Sequence, residues 1–122
     1  MKNNQSKEDY LETVLLLSRE LEDVHQIEVA RKLGVSQPAV QKALKILKGE
    51  GYIETDGLHI YLTEVGKAYA ERVYHRHCVI SKFLIMLGVN GADADNDACL
   101  MEHCVSDATF EAIEKFVKAE NS

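Results

Sequence analysis

The sequence predicts a mainly α-helical fold with one short β-hairpin, and three features of the 122-residue chain indicate it. Apolar residues recur at helical spacing over most of the chain. A turn containing Gly34 joins two short helical segments. The dipeptide Asp56-Gly57, a strong hairpin signal, separates two short runs of β-forming residues. The predicted order is therefore three helices, a hairpin and then helices only.

The first two helices are predicted over residues 8–24 and 26–33. Leu11, Val14, Leu15 and Leu21 recur at near-helical spacing in the first helix. Gly34 follows the second helix directly, which is the usual place for a glycine C-cap.

The third helix is predicted to begin at Ser36, a favoured N-cap residue, with Pro38 in its first turn. Val40, Leu44 and Leu47 line its inner face. The outer face is left polar and basic, with Gln37, Gln41, Lys42, Lys45 and Lys48. Two helices joined by a short turn and followed by a hairpin predict a winged helix-turn-helix.

A long helix is predicted from Glu64 to Leu87, with Thr63 as its N-cap. It carries a coiled-coil-like stripe made of Val73, His77, Ile80, Leu84 and Leu87. The segment from Gly88 to Gly91 ends it. Two more helices are predicted, over residues 93–104 and from Ser106 to Ala119. This apolar helical part is interpreted as a dimerisation module.

Charge is distributed unevenly along a chain whose net charge is -6. Residues 29–49 hold Arg31, Lys32 and three further lysines, with no acidic residue, whereas residues 77–122 hold three lysines and eight Asp or Glu residues. The asymmetry predicts a basic part that faces double-stranded DNA and an acidic part with another role.

Composition also narrows the classes of protein to which the chain could belong. No apolar run approaches the ~20 residues that span a bilayer, and the first ten residues contain no apolar signal-peptide core, so a cytoplasmic protein without a membrane partner is expected. Three cysteines are an odd number, which argues against a disulfide framework. Cys78 and Cys104 are predicted to be small buried residues.

The run Cys99-Leu100-Met101-Glu102-His103 places a thiol, a carboxylate and an imidazole at helical spacings i, i+3 and i+4. The first helix carries a pair of carboxylates at i and i+3, and the long helix carries a histidine on its apolar stripe. Such a mixture of donors suits a divalent first-row metal. The six candidate ligands are Asp9, Glu12, His77, Cys99, Glu102 and His103. The spacing leaves open whether the three segments meet.

The whole chain resembles the metal-dependent repressors of the diphtheria-toxin-repressor family, especially the short manganese-transport-regulator branch. The resemblance rests on the runs "EDYLETV", "VARKLGVSQPAVQKALKILKGEGYI", "LTEVGKAYAERVYHRH" and "NDACLMEHCVSDA". It implies a winged-helix DNA-binding domain over residues 1–72 and an all-helical metal-binding and dimerisation domain over residues 73–122. It also implies that the six candidate side chains bind one or two Mn(II) or Fe(II) ions per subunit.

Four positions bear on which branch the chain follows. Asp9 is the residue usual in the manganese branch, where the iron branch has methionine, whereas Cys99 is the residue usual in the iron branch. Ser81 and Asp95 stand where iron-sensing members carry ligands of a second, ancillary site. The thiol of Cys99 would also accept zinc or cadmium in vitro.

The predicted function is metal-dependent transcriptional regulation, with repression of Mn or Fe uptake genes through a palindromic operator bound by a homodimer. The residues predicted to contact DNA are Ser36, Gln37, Pro38, Ala39, Gln41, Lys42, Lys45 and Lys48. The main alternative is a winged-helix regulator without a metal response. A protein–protein module is disfavoured by the basic window. A zinc peptidase is disfavoured because a winged helix leaves no room for a catalytic domain, so neither an enzyme nor a small-molecule substrate is expected.

Overall fold

The computed structural model describes residues 5–121, so the outer ends of both predicted domains, at residues 1 and 122, lie outside the described residues. The helices and strands follow in the order α1 (Gln5–Glu20), α2 (Gln26–Leu33), α3 (Gln37–Gly49), β1 (Ile53–Asp56), β2 (His59–Leu62), α4 (Glu64–Met86), α5 (Gly91–Met101) and α6 (Asp107–Glu120). The chain divides into two compact units, one ending at Glu71 and the other beginning at Arg72.

The first unit is a winged helix-turn-helix, as predicted. Helices α1, α2 and α3 pack together, α1 also packs on β2, and α3 packs on β1. The two strands are antiparallel, with Asp56 opposite His59 across a tight turn in which Gly57 has a φ of +63°. The core contains fully buried aliphatic side chains from the first three helices and both strands: Leu11, Val14, Val29, Val40, Leu47, Ile53 and Ile60.

The predicted caps of the first unit are confirmed. Gly34 adopts the left-handed conformation with φ +68° and ψ +35°, and it ends α2. The hydroxyl oxygen of Ser36 accepts a hydrogen bond from the Ala39 N–H at 3.3 Å. At the start of α4, the hydroxyl oxygen of Thr63 accepts a hydrogen bond from the Gly66 N–H at 3.0 Å. Each of these caps satisfies backbone groups that a helix end leaves without partners.

The predicted C-terminal ends of α1 and α4 were wrong. Helix α1 ends at Glu20 and not at residue 24, and Leu21 is therefore exposed. The helix ends early because Val24 is buried and its carbonyl accepts a hydrogen bond from the Ile60 N–H at 2.8 Å. This bond connects the segment after α1 to the hairpin of β1 and β2, which is the wing of the winged helix. Helix α4 ends at Met86, and Leu87, predicted on its apolar stripe, is 61% exposed beside Gly88 with φ +100°.

The second unit has a core of its own. Ile80 of α4, Ala98 of α5 and Phe110 of α6 form its buried centre. Partly buried apolar side chains surround that centre: Val79, Leu84, Met101 and Val105. The contacts fix the C-terminal end of α5 against α4, where the sequence places the candidate metal ligands.

Gly66→Ala should destabilise the first unit, because a Cβ atom at this buried position would lie 1.9 Å from the backbone oxygen of Tyr52. Backbone cannot move aside cheaply, so a loss of about 1–3 kcal/mol or more in unfolding free energy is expected. Urea unfolding followed by circular dichroism measures it. Gly49→Ala is the matched control: its Cβ meets nothing within 4 Å, and it should be neutral or stabilising by up to about 1 kcal/mol. Equal stabilities for the two variants would contradict the account.

Candidate metal centre and nucleic-acid interface

The C-terminal end of α5 carries three of the predicted ligands. Asn90 caps the start of this helix, its side-chain oxygen accepting the Asp93 N–H at 2.9 Å. The predicted end at residue 104 was wrong, because the helix stops at Met101. Glu102 is the C-cap and keeps helical backbone angles, φ -59° and ψ -24°, so it still lies one turn from Cys99. His103 follows in the turn.

Glu102 is a buried carboxylate with an imidazole at each oxygen. It is only 2% exposed. Its Oε2 lies 2.9 Å from His77 Nδ1 and its Oε1 lies 3.2 Å from His103 Nε2. Burial by itself would raise the pKa of Glu102, but hydrogen bonding and charge from His103 and His77 prevail and lower it. The site therefore holds an ionised carboxylate among nitrogen donors.

The imidazole of His77 is held on both sides. Its Nε2 lies 2.8 Å from Asp95 Oδ1, while Nδ1 faces Glu102. The ring stacks on Tyr74, with centroids 6.3 Å apart and planes inclined by 8°. The side chain is 13% exposed. Its orientation is thus determined by contacts on α4 and α5.

Ligand atoms of His77, Cys99 and Glu102 all lie within 4.8 Å of one another. One nitrogen, one sulfur and one oxygen at this separation could share a single ion, and the set suits a divalent transition metal. A buried charge is normally paired with an opposite charge or bound to a metal, and the ionised Glu102 is paired with the imidazoles of His77 and His103. The residues present therefore fit a metal ion. His103, with its side chain 3% exposed, lies against the same carboxylate.

The other two predicted ligands lie in the first unit. Asp9 and Glu12 occupy α1, three positions apart and therefore on one helix face, and both are half-buried. Their part in a metal centre stays a prediction.

The expected burial of the remaining cysteines was wrong. Cys78 and Cys104 are exposed, as is Cys99. Cys104 follows the end of α5, and its thiol contacts the Met101 carbonyl at 3.6 Å. Of the three thiols, Cys99 is the one grouped with other metal-binding side chains in the part of the chain that the structure describes.

Helix α3 and the N-cap residue before it present the predicted DNA-contacting residues to solvent. Val40, Leu44 and Leu47 are buried against the rest of the first unit. The residues left exposed include every predicted contact: Ser36, Gln37, Pro38, Ala39, Gln41, Lys42, Lys45 and Lys48. Lys48 also donates to the Thr55 hydroxyl oxygen at 3.1 Å, so this lysine links α3 to the wing.

Two contacts beside the candidate metal centre were not predicted from the sequence. Asp95 contacts His77, and its place four residues before Cys99 was a usable signal because i and i+4 share a helix face. Arg76 donates to the Val105 carbonyl at 2.6 Å and contacts Asp107 at 3.3 Å. It thereby holds the turn that follows His103, and no spacing in the sequence predicted that contact.

Comparison with protein families matches both parts of the chain. Residues 4–58 match the N-terminal DNA binding domain of iron dependent repressors. Residues 63–120 match the metal binding and dimerisation domain of the same repressors. The chain belongs to the iron-dependent repressor family. Its two parts match the DNA-binding domain and the metal-binding and dimerisation domain of metal-dependent transcriptional regulators. This confirms the resemblance, the fold class and the general function predicted from the sequence.

Individual relatives agree with the family. The transcriptional regulator MntR of Escherichia coli O6:H1 is 39% identical over 112 residues, which are 91% of this chain and 72% of that protein. The structure of the manganese regulator SloR matches 97% of this chain with 32% identity and a TM-score of 0.81. The metal-dependent transcriptional regulator MtsR matches 94% with 31% identity and a TM-score of 0.87. The chain spans only 55% and 54% of those two structures.

Among residues 5–121, none of the helices combines the length and the apolar character needed to cross a membrane.

Arg76→Ala should destabilise the second unit by about 1.5–3 kcal/mol, the usual worth of hydrogen bonds made by a charged group. It removes the guanidinium that bonds the Val105 carbonyl and stacks over the Phe110 ring, 5.0 Å from the ring centroid. Thermal unfolding measures the loss. Lys82→Ala, at an exposed position of the same helix, is the control and should change stability by less than about 0.5 kcal/mol. An unchanged R76A midpoint would contradict this role.

Proposed function

We propose that this protein represses genes of manganese or iron uptake by binding a palindromic operator as a homodimer when Mn(II) or Fe(II) is bound. Residues 1–72 would bind the DNA, and residues 73–122 would bind the metal and form the dimer. We place this activity in the cytoplasm, where chromosomal operators are. The observation that carries the proposal is the buried, ionised Glu102 between His77 and His103, with Cys99 beside it.

The proposed ligands in the second unit are His77, Cys99, Glu102 and His103. Asp9 and Glu12 are proposed to join them from α1, on the strength of their sequence positions and of the family resemblance. Oxygen and nitrogen donors in this number favour Mn(II) or Fe(II) over tetrahedral zinc, whereas the thiol would also bind zinc or cadmium in vitro. The bound ion would supply positive charge, and the proposed switch requires no change in its oxidation state.

The residues of the second unit prepare the site for that charge. Glu102 is ionised, and His77 and His103 present nitrogen atoms toward it. Ligands contributed from α1 would make metal binding and the arrangement of the DNA-binding unit depend on each other. Such coupling is typically worth ~1–3 kcal/mol and is reciprocal.

On the DNA, lysines and the head of α3 are proposed to have different roles. Lys42, Lys45 and Lys48 would contact phosphates, which adds affinity without sequence preference. The residues at the head of α3 would read base edges, since the start of a recognition helix usually enters the major groove. Gln41 suits adenine, and the small apolar side chains of Pro38 and Ala39 suit a thymine methyl group.

The test is selection of fragmented genomic DNA by the full chain under anaerobic conditions, with chelator, with Mn(II) and with Fe(II). Enrichment of one palindromic sequence only when metal is present is expected, and the more effective ion identifies the activating metal. Recovery of the same sequence with chelator would contradict the metal switch. It would favour a winged-helix regulator in which His77 and His103 merely neutralise Glu102, an alternative supported by those same ion pairs.

Gln41→Ala should change sequence preference at one base-pair position of each half-site, by about 1–3 kcal/mol between the preferred base pair and its competitors. Fluorescence anisotropy on a panel of single-base operator variants measures it. Lys45→Ala is the matched control on the same exposed face: it should weaken binding to all sequences and reduce the salt slope by about 1. An equal loss on every sequence for Q41A would contradict base reading by Gln41.

Cd(II) is expected to give a thiolate-to-metal charge-transfer absorption with the wild-type chain, and Cys99→Ser should abolish it. Cys104→Ser is the control, because Cys104 is also an exposed thiol near the end of α5 but is not grouped with His77 and Glu102. It should keep the absorption and the Cd(II) affinity. A C99S protein that retains the absorption would show that this thiol is not a ligand.

A further inference from the structure

Asp95 lies on the same face of α5 as two proposed ligands. It precedes Cys99 by four positions and Glu102 by seven, spacings that stack side chains on one side of a helix. Its Oδ1 lies 2.8 Å from Nε2 of His77. The carboxylate is 68% exposed, so it is not enclosed in the cluster but lies beside it.

The two nitrogens of His77 face two different carboxylates. Nε2 points to Asp95, and Nδ1 points to Glu102 at 2.9 Å. A neutral imidazole has one N–H donor and one lone pair, and the partner of one nitrogen decides which nitrogen keeps the proton. A hydrogen bond donated by the Nε2–H to Asp95 keeps the proton on that nitrogen, so that Nδ1 can direct its lone pair to an ion held beside Glu102.

We propose that Asp95 is a positioning residue of the metal centre: it accepts the Nε2–H of His77 and so presents Nδ1 as the metal-binding nitrogen. The inference rests on the proposed function, since it concerns the same ion. Asp95 does not ligate. It holds the ring in one orientation, with Tyr74 stacked on the ring face, and its charge increases the basicity of Nδ1.

The contact should matter to metal affinity because a metal-bound histidine depends on the partner of its other nitrogen. Loss of such a partner typically costs ~10–100-fold in metal affinity. Asp95 is largely exposed, and water can partly replace it, so the lower end of that range, about 10-fold, is expected for its removal.

The experiment compares Asp95→Ala, Asp95→Asn and the control Asp97→Ala in the full chain. Asp97 is an exposed aspartate on the same helix, so its removal takes the same charge from α5. Mn(II) affinity is measured by electron paramagnetic resonance of the free ion. Heteronuclear NMR of isotope-labelled Cd(II) and histidine identifies the nitrogen that is coupled to the metal and the exchange rate of the other N–H.

D95A should bind Mn(II) about 10-fold more weakly than wild type and exchange its Nε2 proton faster, whereas D97A should match wild type. D95N, whose amide oxygen can still accept a hydrogen bond from the Nε2–H, should recover the slow exchange and part of the affinity. Three results would each overturn the inference while leaving the metal site intact. They are coupling of Cd(II) to Nε2 in wild type, equal affinities for D95A and D97A, and no recovery in D95N. Wild type and D97A that bind neither ion would overturn the proposed function as well.

Discussion

The buried carboxylate of Glu102 is the constraint around which the second unit is arranged. An ionised group at 2% exposure is costly unless opposite charge or strong donors surround it, and here two imidazoles do so. Three structural features bring them there: the stacked and hydrogen-bonded ring of His77, the end of α5 at Met101, and the turn held by Arg76. Adding a divalent cation to this arrangement would satisfy the carboxylate more fully than imidazoles alone.

Much of the fold could be predicted from the sequence because local chemistry determines it. Gly34, Ser36 and Thr63 were assigned as helix caps from residue type and position, and the backbone confirms each. The ends of α1 and α5 were not predictable in this way. The end of α1 depends on Val24 pairing with the wing, a contact between residues distant in sequence.

The candidate site was likewise predictable where its residues share one helix and not where they lie on different helices. Spacing on one helix placed Cys99 and Glu102 on a common face, but their approach to His77 came only from the family resemblance, since it depends on how α4 and α5 pack. The exposure of Cys78 and Cys104 was not predicted, because residue type alone does not indicate whether a cysteine side chain is buried or exposed. The contacts of Asp95 and Arg76 are tertiary contacts of the same kind.

The most direct test of the account is the affinity of the full chain for Mn(II) measured twice, alone and in the presence of the selected operator. A metal centre that governs DNA binding must be tightened by DNA in return, because the coupling between two sites is reciprocal. Mn(II) binding should be about 5–150-fold tighter with operator present. Equal Mn(II) affinity with and without DNA would contradict it, and the cluster around Glu102 would then have no part in regulation.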